Sequence, residues 1–347
     1  MRKIRVLHIL NTDSFSGAEN VAISIIRETS EEAEGIYLSK DGNIRKILDR
    51  KKIAFYPIEK LNVRVLKNAI SELEPDIIHA HDFTAGIISV FSTNKIPIIN
   101  HLHNNSPWIK RISWKTILFG MTCTQFKKIL TVSNSIMDEY IFGKYFQRKV
   151  IVIGNPFSIQ KIQKKSEYAE IKLKSDIIFL GRLSKPKNPF LFLDVINDLA
   201  KILPNIQAVM VGDGELRVQI ESRIYELNLE KNVTLYGFQE NPYGLLDAGK
   251  ILCMPSLWEG FGLAALEALS LGKPVIATPV GGLVEIIDST CGKLCITKED
   301  FVKELYHLLT VEEEYNAKSI GAYIRAKKFD NVQKYMNILK ELYCSLD

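Results

Sequence analysis

The sequence predicts an α/β protein built from two doubly wound parallel-sheet domains, and three observations predict it. Short apolar, β-branched runs alternate with amphipathic stretches along the whole chain, the pattern of strand-helix units whose strands are buried on both faces. The length of 347 residues suits two domains better than one. Between the halves, residues 155–174 are polar and rich in Lys and Gln, with Pro156 near the start, and read as a linker after which the pattern restarts.

In the first half, strands are expected at 4–10, 35–38, 53–57, 76–79, 96–100, 129–132 and 150–153. Helical patterns fill the gaps, for example at 18–28 and 66–73, the second stopped by Pro75. In the second half, strands are expected at 176–180, 207–211, 233–236, 251–254, 274–277 and 293–296. A last amphipathic segment, 332–343, follows the final strand. No repeat of about 20–50 residues and no low-complexity tract interrupts this order.

Composition narrows the class. With 46% hydrophobic and 24% charged residues, the chain is not disordered, collagen-like or stapled by disulfides. Arg2 and Lys3 resemble the start of an export signal, but Arg5 and His8 break the apolar run behind them, which then meets polar residues at 11–16. No stretch approaches the roughly 18 uncharged apolar residues of a spanning helix, so a cytosolic protein is expected. Five scattered cysteines, Cys123, Cys253, Cys291, Cys295 and Cys344, include no C-x-x-C pair and are expected to be reduced and mostly buried. The net charge of +5 is uneven: residues 1–150 carry 22 Lys+Arg against 15 Asp+Glu, and the rest carries 23 against 25. A basic first half implies an acidic partner there.

The densest chemical signal is Pro255-Ser256-Leu257-Trp258-Glu259-Gly260-Phe261-Gly262-Leu263, which leads into an apolar helix carrying Glu267. Strand, glycine-flanked turn and helix build an anion site, with backbone N–H groups of the first helical turn, expected at Phe261 to Ala264, facing the ligand. Read as one helical element, Glu259 and Glu267 stand roughly 12 Å apart along its axis, a span that suits a nucleotide sugar. A dipole-favoured N-terminal Glu and an exposed helical Glu account for the pair equally well. In Gly181-Arg182-Leu183-Ser184-Lys185-Pro186-Lys187, Arg182 and Lys187 follow a strand end and offer cations to a diphosphate, or else are solvated surface charge. Val211-Gly212-Asp213-Gly214 lacks the third glycine of a dinucleotide fingerprint and reads as a plain strand-to-helix turn. No D-x-D occurs, so a carboxylate-held Mg²⁺ or Mn²⁺ at a diphosphate is not expected.

Four of the six histidines, His79, His81, His101 and His103, fall near strand ends with spacing that puts each pair on one face. Polar lining of a crevice is the first reading, and buried hydrogen-bonded histidine the second. Metal ligation is the third; no carboxylate or thiolate partner is evident, and no metal site is assigned.

Together these residues resemble the retaining, GT-B-fold glycosyltransferases of family 4, the group 1 glycosyltransferases of polysaccharide biosynthesis. The E-x7-E element from Glu259 to Glu267, Gly181-Arg182-Leu183 through Lys187, Val211-Gly212-Asp213-Gly214, Tyr236-Gly237-Phe238 and Gly281-Gly282-Leu283-Val284-Glu285 stand in that family's order. Ser16-Gly17-Ala18-Glu19 resembles its Gly-Gly-Ala-Glu turn with Ser16 in place of the first glycine. Asn100-His101-Leu102-His103-Asn104 resembles the segment supplying a histidine near the transferred sugar, with His103 favoured over His101.

The resemblance implies two Rossmann-like domains facing each other across a cleft: an acceptor domain at 1–160, a nucleotide-sugar domain at 161–329, and a helix at 330–347 returning to the first. It implies transfer of a hexose or N-acetylhexosamine from a nucleotide-diphosphate sugar, a UDP-sugar by expectation, to a glycan on a polyprenyl diphosphate in capsule, exopolysaccharide or O-antigen synthesis. Arg182 and Lys187 replace a metal at the diphosphate, Glu259 accepts from sugar hydroxyls and Glu267 holds the ribose. Gly237, Phe238 and Gln239 meet the base, and Gly17, Gly260, Phe261, Gly262 and Leu263 complete the donor site. His79, His81, His101 and Asn104 line the acceptor side. Retention by front-face attack needs no covalent nucleophile and no cofactor. A nucleotide-sugar 2-epimerase and a non-catalytic nucleotide-sugar-binding protein are the alternatives; the first gives no reason for E-x7-E, and the second none for the four charged residues. No nucleic-acid partner is expected. The first domain is expected to dock on the anionic inner face of the plasma membrane, because Trp108-Ile109-Lys110-Arg111-Ile112-Ser113-Trp114-Lys115 combines two tryptophans with three cations. A helix start that buries both rings is the competing reading.

Overall fold

The structure, a computed structural model, describes residues 2–13, 17–169 and 173–346. The chain divides into two units, Met1–Pro156 with Val332–Asp347, and Phe157–Asn331. The described residues of the first unit form a parallel sheet of β1 (Ile4–Ile9), β2 (Ala33–Lys40), β3 (Ala54–Ile58), β4 (Ile77–Ala80), β5 (Ile98–Leu102), β6 (Lys128–Thr131) and β7 (Val150–Val152), in the order β3-β2-β1-β4-β5-β6-β7. Those of the second unit form a parallel sheet of β8 (Ser175–Leu180), β9 (Ala208–Val211), β10 (Val233–Gly237), β11 (Gly249–Met254), β12 (Val275–Ala277) and β13 (Gly292–Leu294), in the order β10-β9-β8-β11-β12-β13. All thirteen lie within a few residues of the expected positions.

Parallel neighbours can be joined only by crossovers, so nearly every strand is followed by helix and is covered on both faces. The order reverses between β1 and β4 in one sheet and between β8 and β11 in the other. At such a point successive crossovers diverge to opposite faces and leave a crevice outside the carboxyl ends of the strands.

The second unit's core is one cluster in which Ile177, Phe179, Met210 and Ile251 of the sheet pack with Phe192, Ile196, Ile220 and Leu305 of its helices. In the first unit, Val6, Ile77, Ile99 and Leu130 meet Val21 and Ile25 on one helix and Tyr335, Met336, Leu339 and Leu342 on the helix Val332–Cys344. Lys340 of that helix also pairs with Glu32 at 2.6 Å. The last helix is therefore a structural part of the first unit.

The stretch expected as a linker is partly ordered. Ser158 caps a helix, Ile159–Glu167, whose side chains Ile159, Ile162 and Ser166 are buried. Its apolar spacing is helical, and the Lys and Gln residues around it simply form the exposed face. Cys123, Cys253, Cys291 and Cys295 are buried thiols and Cys344 is an exposed one.

Leu339 is fully buried against the first sheet. Leu339→Ala is expected to lower stability by about 2–5 kcal/mol, read as the shift of the urea unfolding transition; an unchanged transition would show that the last helix is not part of the core.

Candidate active site

In the second unit, the loops that follow β8, β9, β10 and β11 are laced together. Gly181 N donates to Val211 O at 3.0 Å, Leu183 N to Asp213 O at 3.0 Å, Gly212 N to Gly237 O at 2.9 Å and Leu257 N to Pro186 O at 2.8 Å. A Cβ on Gly212, whose φ is +139°, would lie 2.0 Å from Gly181 O, so only glycine permits this approach. The same holds at Gly281, with φ +54°, where a Cβ would lie 1.8 Å from Glu259 O.

Within this frame Lys187, at the end of the short turn Lys185–Lys187, forms an ion pair with Glu259. Ser256 Oγ donates to the same carboxylate oxygen at 2.9 Å. Glu259 is only 7% exposed, and a carboxylate that buried persists because it is paired and hydrogen-bonded. Arg182 is exposed at the mouth of the same loop. The structure thus brings Lys187 and Glu259 into contact and sets Arg182 five residues before Lys187, across the turn that holds it.

One expectation needs correction. Glu259 is not helical: the helix begins at Leu263 and Gly262 precedes it with φ +98°. The axial spacing of about 12 Å therefore has no basis, because the chain from Pro255 to Gly262 is a turn fixed by Ser256, Lys187 and Gly281. Of the stretch Phe261 to Ala264, only Leu263 and Ala264 are helical.

Glu267 lies on the helix Leu263–Ser270 and accepts from Tyr243 Oη at 3.0 Å. Burial pushes its carboxyl up to about 7, against the opposing pull of the Tyr243 hydrogen bond and the Lys165 charge. Lys165 Nζ stands 5.5 Å from the centre of the Tyr243 ring. Gly237 ends β10, Phe238 behind it is 56% exposed and Gln239 is half-buried. Gly260, Phe261 and Gly262 are buried.

In the first unit the histidines form a ladder at the β1–β4 reversal. His8 and His79 are direct partners in register. Ring centres of His79 and His81 are 4.3 Å apart, those of His101 and His103 4.1 Å, and those of His81 and His103 5.3 Å. His8 Nδ1 contacts His81 Nε2 at 3.0 Å, and His81 Nδ1 contacts His103 Nε2 at 3.1 Å. His79 Nε2 contacts His101 Nδ1 at 3.3 Å, and its Nδ1 meets Tyr343 Oη of the last helix at 2.7 Å. Burial pushes His8 and His103 down to about 3 and holds His79, His81 and His101 well below the ordinary histidine range. All five rings are neutral at pH 7.

Beside the ladder, Asp82 caps the helix Phe83–Ser92 by accepting from Ala85 N at 2.6 Å, and burial pushes its carboxyl up to about 6. Gly17 opens the helix Gly17–Glu28, and Glu19 on it is buried and accepts from Thr12 Oγ1. Ser16 lies outside the described residues. Asn104 is exposed and accepts from Ser106 Oγ at 3.1 Å.

The two tryptophans part company. Trp108 is half-buried edge-on against Phe83, with ring centres 5.0 Å apart, whereas Trp114 is 70% exposed. Trp114, Ile117 and Met121 recur along one side of the helix Trp114–Cys123, and all three are exposed, as is Ile112 before it. Lys115 stands over the Trp114 ring, and Lys110 pairs with Glu139 at 3.2 Å.

Four residues of these sites escaped the sequence reading. His8 had a signal, since Ile4, Val6 and His8 alternate on one face of the first strand. Ser256 sits inside the motif already singled out. Tyr243 and Tyr343 gave no local signal; Tyr343 reaches His79 from 264 positions away.

Residues 160–326 match the family described as "Glycosyl transferases group 1", and residues 18–161 match "Glycosyltransferase Family 4". An uncharacterised glycosyltransferase of Methanocaldococcus jannaschii is 30% identical over 64% of this chain, a match that spans 60% of its own length. The UDP-Gal:α-D-GlcNAc-diphosphoundecaprenol α-1,3-galactosyltransferase of Escherichia coli is 24% identical over 99% of this chain and 97% of that one. The crystal structure of Anabaena HepE in complex with UDP-glucose superposes with a TM-score of 0.83 at 20% identity, covering 99% of this chain and 100% of that one. Two family matches that together run from residue 18 to residue 326, on a pair of Rossmann-like units, place this chain among the group 1, family 4 glycosyltransferases, as a transferase with the GT-B fold.

Proposed function

We propose that this chain is a retaining glycosyltransferase that moves a hexose or N-acetylhexosamine from a UDP-sugar to a glycan carried on a polyprenyl diphosphate, with no divalent cation at the donor diphosphate. The observation that carries the reading is the Lys187–Glu259 pair at the carboxyl edge of the second sheet, with Arg182 exposed on the same loop. A sugar diphosphate needs cations for the phosphates and an acceptor for the sugar hydroxyls, and the two neighbouring loops offer both side by side. The E. coli relative, which by its name uses UDP-galactose and a diphosphoundecaprenol-linked acceptor, supports the donor and acceptor classes.

On this reading Arg182 and Lys187 stabilise the charge that grows on the leaving diphosphate. Glu259 orients the sugar, and Glu267 accepts from the ribose hydroxyls. The backbone at Gly237, Phe238 and Gln239 meets the base, with the Gly260 to Leu263 turn completing the donor contacts. His103 serves as a neutral hydrogen-bonding group on the acceptor side together with His79, His81, His101 and Asn104. The departing phosphate takes the acceptor's proton, so no side chain becomes a covalent nucleophile. Among the described residues no helix is long and apolar enough to cross a membrane. The exposed row of Ile112, Trp114, Ile117 and Met121, flanked by Lys110, Arg111 and Lys115, gives the first unit a face suited to lying in the headgroup layer of the inner plasma-membrane leaflet, where a lipid-linked acceptor is held.

Three measurements test this. Incubated with UDP-, GDP- and ADP-sugars and a polyprenyl-diphosphate N-acetylhexosamine, the protein is expected to release UDP and lengthen the lipid with the donor's anomeric configuration kept. Arg182→Ala and Lys187→Ala are each expected to lower kcat/KM by about 10²-fold, and added Mg²⁺ or Mn²⁺ to leave the rate unchanged; a rate that needs Mn²⁺ overturns the diphosphate assignment.

Affinity for UDP is expected to depend on Glu267. Its raised pKa means that below about 7 the folded protein carries the neutral acid, which has lost acceptor capacity, and above it the carboxylate that accepts from both ribose hydroxyls. Affinity should therefore rise by up to about tenfold from pH 6 to pH 8, and Glu267→Gln should flatten that rise. Calorimetry at the two pH values decides it, and a wild-type affinity that falls with pH contradicts the role.

Vesicle sedimentation tests the membrane face. Binding should increase with phosphatidylglycerol content, weaken with salt, and drop when Trp114 and Ile117 become Ser; binding indifferent to all three changes rules that face out.

A further inference from the structure

Given the ribose role proposed for Glu267, on which this assignment rests, we infer that Tyr243 is the positioning residue for the nucleoside half of the donor. It holds the Glu267 carboxylate in the orientation that accepts from both ribose hydroxyls, and it ties that carboxylate to the segment proposed to meet the base.

Tyr243 opens the helix Tyr243–Ala248, four positions after Gln239 on the segment that follows β10. Its hydroxyl donates to Glu267 Oε1 at 3.0 Å, across 24 positions of the chain. Burial and the Glu267 charge push that hydroxyl far above the ordinary tyrosine range, so it stays protonated and acts as the donor. Among the described residues no other group donates to this carboxylate. A carboxylate has about four lone-pair positions. With one on Oε1 taken, the other on Oε1 and those on Oε2 remain for a ligand that presents two neighbouring hydroxyls. The last torsion of a glutamate side chain is broad, so without a fixed donor the carboxylate is free to turn and its orientation is lost.

The tyrosine is itself held. Asn241 Nδ2 donates to Lys165 O at 3.0 Å, and Tyr243 N donates to Asn241 Oδ1 at 3.4 Å, which pins the turn before the ring to the helix Ile159–Glu167. Lys165 of that helix stands over the ring in a cation–π contact. The base segment, the ring and the ribose carboxylate are thus one connected piece, and base and sugar are read together.

The test compares two nucleotides on three full-length proteins by calorimetry at pH 8. Wild type, Tyr243→Phe and Glu267→Gln are each titrated with UDP and with 2′,3′-dideoxy-UDP, which lacks both ribose hydroxyls. Wild type is expected to prefer UDP by about 30-fold, and Tyr243→Phe to reduce that preference about tenfold while binding dideoxy-UDP within about twofold of wild type. Tyr243→Phe keeps the ring and removes one oxygen. Added to Glu267→Gln it should cause no further loss of preference, because the hydroxyl acts only through the carboxylate. Equal weakening of both nucleotides by Tyr243→Phe makes the residue a support of the loop alone and overturns the inference. A wild type with no preference, or a Glu267→Gln protein that keeps it, removes the ribose role of Glu267 and the inference with it. If Glu267→Gln loses the preference and Tyr243→Phe retains it, the ribose role stands and the positioning role falls.

Discussion

The candidate donor site depends on backbones packed directly against backbones. Gly212 lies on the carbonyl of Gly181, and Gly281 on that of Glu259, at separations no Cβ tolerates. These contacts fix the loops after β8 and β11 before any side chain is considered. Lys187 and Glu259 then meet because their loops are already tied by the Leu257–Pro186 hydrogen bond. A buried ion pair is a poor source of net stability. Its cost is carried by this glycine frame and by the apolar cluster beneath it, which leaves the pair free to serve a ligand.

The two units place their chemistry by the same rule with opposite electrostatics. Each sheet reverses its strand order once, and each collects polar side chains at that reversal. In the second unit they are oppositely charged side chains, an exposed Arg182 and a Lys187 paired with the buried Glu259. In the first they are five neutral imidazoles stacked below the surface, where burial keeps protons off them. One cluster presents charge and the other hydrogen bonds without charge.

The strands were legible because parallel strands covered on both faces must be short apolar runs, and such runs stand out in sequence whatever packs on them. Within residues 155–174 composition marks the boundary between the units, at Pro156, but hides the helix behind it, whose Ile159, Ile162 and Ser166 have helical spacing within the Lys and Gln background. Glu259 misled because the eight-residue interval to Glu267 was counted as helix across Gly260 and Gly262. The turn itself was legible in those glycines. The Lys187–Glu259 contact was visible only as two separate motifs, since nothing local records a pairing across 72 positions. His8 was readable from strand alternation, whereas Tyr343 required knowing where the last helix lands.

That landing has a consequence for how the molecule is made. The first sheet is complete once β7 has left the ribosome, yet Tyr335, Met336, Leu339 and Tyr343, which close its core and reach His79, are translated only after the whole of the second unit. At roughly 5–20 residues per second, the nascent first unit waits on the order of ten to forty seconds with one apolar face uncovered while the entire second unit is synthesised. The unit begun first is finished last, so a truncated or stalled chain lacks the very helix that seals its oldest part.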